Sequence, residues 1–259
     1  IKATPWLTER HGYDPTLFAV NGFSKKYFMD AKESMDDLSF KCLYQQQPIE
    51  REGLLFPTDE LRRFFFKREQ VPEKQTAFII MPERTPDAIW AVCDTKDTGT
   101  DFESLPIAYQ FGEDFYIPDV VFDDTTDYDT LDMKSANILI RHNPHKIRFE
   151  SNSAGGRVAH NVQKLIDGKC RAQIEPERTQ ANKETKILVN SDWIKKHCVF
   201  LDPSLYTPKS DYGLFMENVV TYTVKVKPPH DDGPDSLAML AEYVARPVQK
   251  PTEIINSPY

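Results

Sequence analysis

The sequence predicts an α/β protein, a mixed β-sheet flanked by helices on both faces, from three observations. Ala88–Cys93 is an uninterrupted apolar run closed by polar loop residues, as a central strand buried on both faces requires. Leu105–Phe111 and Phe115–Phe122 flank Gly112-Glu113-Asp114, a hairpin signal that extends the first strand into an antiparallel meander. Thereafter the patterns run helix, strand, helix, strand, helix, an order that lays helices on the faces of a mixed sheet.

Each element has its own warrant. Residues 1–30 are aromatic and turn-rich without a strong period. Ala31–Gln47 reads as a helix, with Met35, Leu38, Leu43 and Tyr44 on one face and Pro48 as its stop. Asp59–Phe66 is expected as a short helix capped by Thr58 or Asp59. Ala77–Met81 is a short strand in a Pro-rich connector, near which the main boundary falls: 1–75 as one region, 76–259 as the other. Beyond the meander, Leu131, Ala136, Ile138 and Leu139 recur at helical spacing in Tyr128–Arg141, which stops before Pro144. Lys146–Glu150 is a strand, and Gly155–Ile166 a helix by Val158, Val162, Leu165 and Ile166. Cys170–Ile174 is expected as a strand, Lys183–Lys196 as a basic helix, and Val199–Leu201 as a short extended piece. Tyr212–Val226 is ambiguous, since Phe215, Val219 and Tyr222 suit a helix and TYTVKV a strand. Asp235–Val244 closes the chain's periodic part as a helix.

Bulk properties narrow the function classes. At 259 residues and 40% hydrophobic, the chain can build a sizeable core in one large or two modest domains. No apolar run approaches a membrane span, so no membrane partner is expected. It opens IKATPW without an initiator Met or visible secretory signal, which reads as an excised piece of a longer protein. Four scattered cysteines without a C-x-x-C pair read as structural thiols in a reducing compartment, not as a zinc or disulfide framework. Net charge is −8, yet residues 94–138 hold twelve acids against two bases and residues 139–200 twelve bases against six acids. An acidic focus beside a basic surface suits a metal site acting on a polyanion.

Three acids occupy comparable places. Asp94 ends the first central strand, Glu150 ends KIRFE, and Asp235 opens the last helix. Singly, each reads as a cap or a solvated charge. Jointly, two strand ends and a helix start can converge at the carboxyl edge of one sheet, where α/β proteins place their chemistry. Carboxylates packed together repel, and take up protons or bind cations. Hard oxygen ligands suit Mg²⁺ or Mn²⁺. Two divalent cations about 3.5–4 Å apart would clamp the attacking water and the leaving oxygen of a phosphodiester. Asp94 is the expected bridging ligand, with Glu150 and Asp235 each completing one ion. Asp101 and Asp232 are outer candidates, as ligands or orienters, with Asp97 and Asp231 ranked below them.

These residues resemble the large terminase subunit of tailed bacteriophages, specifically its C-terminal nuclease domain. Tyr44–Phe64, YQQQPIEREGLLFPTDELRRF, is similar to the segment that leaves that family's motor domain. AIWAVCDTKDTGTDFES resembles its first nuclease strand with a second Asp following. FESNSAGGRVAHNVQKLI and HDDGPDSLAML resemble its strand-Glu-loop-helix and its final acid-helix element, and NKETKILVNSDWIKKHCVFL its Lys-rich helix with a short extended segment. The resemblance runs over most of Tyr44–Val244 and implies an RNase H-like fold. It also implies Asp94, Glu150 and Asp235 as the metal-binding and catalytic triad, Asp235 being preferred over Asp231 and Asp232 in HDDGPD. The implied activity is metal-dependent cleavage of concatemeric viral DNA during packaging. Implied partners are double-stranded DNA, the motor domain, the small terminase subunit and the portal, in the host bacterial cytoplasm. Residues 1–75 would then be the tail of the motor and its linker. One departure is large: no G-x-x-x-x-G-K-[ST] occurs, since Gln163 stands five residues before Gly168-Lys169, so this chain is expected not to hydrolyse ATP.

Arg157, Lys164, Lys169, Arg171, Lys183, Lys186, Lys195 and Lys196 are candidate contacts to the DNA backbone, giving affinity without sequence choice. His142 and His145 read as solvated histidines at a turn. Gly155-Gly156 suits either a phosphate approach or close packing beside Glu150. Trp90 and Trp193 read as core anchors. Alternative readings are another RNase H-like nuclease of resolvase or transposase type, and a non-catalytic docking module.

Overall fold

The structure is a computed structural model that describes residues 53–96, 101–151, 155–178, 182–224 and 230–245. The chain divides between Arg51 and Glu52, and every described residue belongs to the second unit. The expected helix Ala31–Gln47, Asp97 and the end of the TYTVKV segment lie outside the described residues.

Eight strands form one mixed sheet: β1 (Arg62–Phe65), β2 (Ile79–Ile80), β3 (Ala88–Cys93), β4 (Glu103–Phe111), β5 (Asp114–Asp123), β6 (Lys146–Glu150), β7 (Ile174–Glu177) and β8 (Cys198–Leu201), in the order β2-β1-β8-β5-β4-β3-β6-β7. β3, β4 and β5 make the expected antiparallel meander, turning at Gly112 with φ +65°, a conformation glycine adopts at little cost. β6 and β7 add in parallel beyond β3, and β8, β1 and β2 in parallel beyond β5.

Helices cover both faces, as the α/β expectation requires. On one face α1 (Tyr128–His142) and α2 (Gly155–Ile166) bury Leu131, Leu139, Val158, Val162 and Ile166 against Ile89, Ala91, Cys93, Leu105, Ile147 and Phe149. On the other, α3 (Lys183–His197), α4 (Asp211–Thr221) and α5 (Asp232–Ala245) bury Ile187, Ile194, Phe215, Val219, Leu237 and Leu240 against Val92, Ala108, Phe115, Ile117 and Val199. α1 and α3 are capped by the side chains of Asp127 and Asn182. No described helix is long and apolar enough to cross a membrane.

Three expectations are corrected and one ambiguity is resolved. Asp59–Phe66 is not a helix: a 3₁₀ turn spans Thr58–Glu60 without a side-chain cap, and β1 follows. RRFFF has no strand alternation because Phe64 and Phe65 are both fully buried between parallel neighbours, so tertiary pairing overrides a weak local signal. β1, which precedes residue 75, is a strand of the sheet. Cys170–Ile174 is largely the turn after α2, with Gly168 at φ +67°, and the strand runs Ile174–Glu177, its Pro176 tolerated at a sheet edge. Tyr212–Val226 resolves into α4, which ends at Thr221 before Thr223 bridges to Leu54. α5 begins at Asp232, three residues before the expected start, so two acids of HDDGPD lie in its first turn. The expected strands β3 and β6 keep their bounds. Cys93, Cys170 and Cys198 are free thiols, the first and last buried.

Candidate metal centre

Strand alternation decides where the acids face. In β3, Ala91 and Cys93 face α1 and α2, whereas Val92 faces the α3–α5 side, so Asp94, one residue past the strand, continues on the Val92 side. A bridge to Ser104 on β4, with N–H···O contacts of 3.0 Å each way, fixes the backbone of Asp94. In β6, Ile147 and Phe149 face α1 and α2, which turns Glu150 to the same side as Asp94. Cys93 and Phe149 are register partners, so the two acids leave adjacent parallel strands at one level. α5 starts over the same rim, where Ser236 Oγ lies 2.8 Å from Ser104 Oγ. Its Gly233 lets the helix approach α4, since a Cβ there would stand 2.8 Å from Asn218 Oδ1.

Asp94, Glu150 and Asp235 thereby meet. One ligand oxygen from each lies within 4.8 Å of the others, and all three residues are buried. Among the described residues this is the group of three or more potential ligands with that spacing. Two lysines from α3 stand against it. Lys183 Nζ lies 3.1 Å from Asp94 Oδ2, 3.3 Å from Asp235 Oδ2 and 3.8 Å from Asp231 Oδ1. Lys186, fully buried, brings Nζ to 2.5 Å from Asp235 Oδ1, out of line for a hydrogen bond, so the contact is an ion pair.

The electrostatics follow from burial. Desolvation pushes the Asp94 carboxyl well above the ordinary range, Asp235 raises it further, and Lys183 opposes both. Burial opposes charge on Lys183, but the Asp94, Asp235, Asp231 and Asp232 carboxylates outweigh it and hold its ammonium above the ordinary value. Burial also pushes Asp232 up to about 6, against the hydrogen bond that its Oδ2 accepts from the Phe102 N–H at 3.1 Å. Oxygen donors, buried and out of hydrogen-bonding geometry at Asp235, in negative surplus over two ammoniums, fit a hard divalent cation.

The remaining candidates separate by position. Asp232 is occupied with the Phe102 backbone, and Asp101 is exposed and acts on Asp232 by charge; neither joins the group of three. Lys186, expected as a surface contact to DNA, is buried on Asp235 and out of reach of a backbone phosphate. Arg157, half-exposed in the first turn of α2, lies 3.7 Å from Asp132 and over the Tyr128 ring, at the same rim as the acids. The other five lie toward the opposite rim. Each parallel crossover starts its helix at the carboxyl edge and ends it at the amino edge, and this carries Lys164, Lys169 and Arg171 away with the end of α2. Arg171 accordingly touches His145, just before β6. Lys195 and Lys196 end α3, Lys195 paired with Glu60 at 2.8 Å, about 18 Å along the helix from Lys183. Arg178, not singled out by the sequence reading, is exposed just past β7, whose Glu177 is the register partner of Glu150. His142 is not solvated: it bridges Tyr109 Oη and Asp119 Oδ2 at 2.8 and 2.9 Å. A Cβ on Gly156 would meet nothing within 4 Å, so close packing does not explain that glycine.

No family model matches the sequence, and no curated protein does. The structure is similar to that of the large terminase from a thermophilic bacteriophage, with a TM-score of 0.53 at 11% identity, covering 86% of this chain and 52% of that one. The same phage protein in complex with ADP gives the same values. The human cytomegalovirus terminase nuclease domain, Mn soaked and inhibitor bound, follows at 0.49 and 10% identity, covering 73% of this chain and 91% of that one. This chain therefore shares the mixed α/β, RNase H-like fold that the sequence resemblance to terminase implies, and it spans about half the length of the thermophilic phage protein.

Proposed function

We propose that the protein is a metal-dependent DNA endonuclease of the terminase type, cutting concatemeric viral DNA during genome packaging in the host bacterial cytoplasm. The observation that carries this is the meeting of Asp94, Glu150 and Asp235, from two strand ends and one helix start, within 4.8 Å in a buried setting. These acids, up to 141 positions apart in sequence, serve no evident packing purpose, and with three carboxyl groups against the two ammoniums of Lys183 and Lys186 the site can still take a cation.

The proposed cofactors are two divalent cations, Mg²⁺ or Mn²⁺, held by Asp94, Glu150 and Asp235 with Asp101 and Asp232 as outer groups. Bound there, they supply Lewis-acid stabilisation of charge on a phosphodiester. The chain's own residues do the rest. Asp94 and Glu150, fixed by adjacent strands, orient the donors; Lys186 holds Asp235; Asp232 anchors the backbone ahead of β4. Lys183 and Arg157 are proposed contacts to double-stranded DNA at this rim. Lys164, Lys169, Arg171, Lys195 and Lys196 are proposed as a second backbone surface away from the reaction. Residues 1–75 are assigned to the tail of the motor and its linker, with Arg62–Phe65 contributing a strand to the sheet, and 76–259 to the nuclease. ATP hydrolysis is assigned to a motor domain; small subunit and portal are the proposed partners.

The test is cleavage of supercoiled plasmid with Mn²⁺ by the wild type and by Asp94→Asn. The expected result is loss of at least about 10³-fold, the scale of several kcal/mol of charge stabilisation. Unchanged cleavage would falsify the role of Asp94. A strong preference for branched over linear duplex would favour a resolvase-type enzyme, and absence of any cleavage a docking module.

A further inference from the structure

The centre joins two elements whose facing groups repel. Glu150 ends β6 and Asp235 opens α5, so at the rim this strand and this helix present carboxylates to one another. α5 packs on β3 and β4. One layer inward its side-chain link to β6 is Arg148, two residues before Glu150 and on the same face.

The Arg148 guanidinium lies 3.6 Å from the centroid of the Tyr243 ring on α5. Its Nη1 is 2.6 Å from Glu177 Oε2 and its Nη2 3.6 Å from Glu175 Oε2, both on β7. The side chain is only 12% exposed. Tyr243 is itself fixed, edge-on to Trp90 at 5.2 Å, and Trp90 Nε1 donates to Gln110 Oε1 at 2.9 Å. Tyr243 stands eight residues beyond Asp235, about 12 Å along the helix axis. A planar guanidinium is suited to such a double engagement, stacking on an aromatic face while pairing a carboxylate in its own plane; an ammonium is not.

We propose that Arg148 is a positioning residue. It clamps α5 onto β6 and β7 through Tyr243 and Glu177, and so, together with the Lys183 and Lys186 ammoniums that pair with Asp235, holds Asp235 in reach of Glu150. This rests on the metal-centre reading above and adds to it the group that keeps the ligands in register.

The experiment is Mn²⁺ titration by calorimetry on the full 259-residue chain without DNA, for wild type, Arg148→Lys, Tyr243→Leu and the double variant, with thermal unfolding of each in EDTA. Arg148→Lys keeps the charge and the pairing with Glu177 but loses the stack. Loss of positive charge near a cation site would by itself tighten cation binding, so weakening in these charge-preserving variants reports geometry. Each single variant is expected to bind Mn²⁺ about tenfold more weakly, the lower end for residues that orient metal ligands. The double variant should be no weaker than either single, since both break one contact. Should Tyr243→Leu fail to fold, Arg148→Lys decides alone. Wild-type affinity in Arg148→Lys overturns the clamp, as does a fall in unfolding temperature with unchanged affinity. A wild type that binds no Mn²⁺ overturns the metal-centre reading and the clamp together.

Discussion

Two buried acid clusters lie at the same rim of the sheet on opposite faces, and they resolve their charge differently. On the α3–α5 face, Asp94 and Asp235, grouped with Glu150, are met by the ammoniums of Lys183 and Lys186. On the α1–α2 face, Glu103 at the start of β4 and Asp132 on α1 are met by neutral donors. The Ser135 hydroxyl donates to Glu103 Oε1, and Asn161 Nδ2 donates to Asp132 Oδ2 at 2.9 Å, with Arg157 at 3.7 Å. Glu103 Oε2 is buried without a partner, and burial pushes this carboxyl up to about 7. In the first cluster Asp94 and Asp235 have ammonium partners, although burial still pushes the Asp94 carboxyl well above the ordinary range. The other is balanced by a proton. Burial of acids is therefore not in itself the mark of a metal site; what sets the first cluster apart is three ligand oxygens within 4.8 Å of one another.

The sharpest way to break this comparison is to neutralise one acid on each face. Glu150→Gln and Asp235→Asn should each lose Mn²⁺-dependent cleavage by about 10³-fold, whereas Asp132→Asn should stay within about threefold of wild type, as rates on plasmid DNA will show. Equal losses on both faces would erase the distinction.

Next in size is the buried ion pair. Lys186→Met leaves the fully buried Asp235 without its closest cation, and urea unfolding in EDTA should show a loss of about 3–5 kcal/mol. Saturating Mn²⁺ should recover part of that loss, because a ligand of the folded state stabilises it.

The proton-balanced face has a pH signature. Glu103 takes up its proton more readily folded than unfolded, about 7 against an ordinary 4.5. Between those values the folded state binds more protons, so stability falls as pH rises, with no penalty below 4.5 and the full penalty above 7. Wild type should lose up to about 3 kcal/mol relative to Glu103→Gln across that window, measured by denaturant unfolding at about pH 4.5 and about pH 8. A flat difference would show that Glu103 takes up its proton no more readily folded than unfolded.

The smallest effect concerns the opposite rim. Lys169→Ala with Lys196→Ala should leave the cleavage rate at saturating DNA within about twofold and reduce the salt slope of binding by about 2, and an unchanged slope would remove that rim from the DNA surface.

Much of this was legible in the chain. Apolar runs and turn chemistry set β3, β4, β5 and β6 to within two residues, because strands buried on both faces and a Gly-turned hairpin are local signals. Asp94 and Glu150 could be read as neighbours from strand ends alone. β1 could not, because RRFFF becomes a strand only through pairing with β8 and β2, which come later in sequence. Nor could the fate of the lysines be read. Lys183, Lys186, Lys195 and Lys196 look alike in a basic helix, yet the first meets three acids, the second is buried on one, and the last two are carried to the other rim.

The sequence by itself determined most of the elements, the α/β class and the three acids at their ends, since periodicity and caps act over a few residues. Only the tertiary structure decided which oxygens share a space, which lysines pair with them, and which of Asp231, Asp232 and Asp235 lies with Asp94 and Glu150. Those are matters of helix phase and strand register between segments far apart in the chain, fixed by packing and not by local preference.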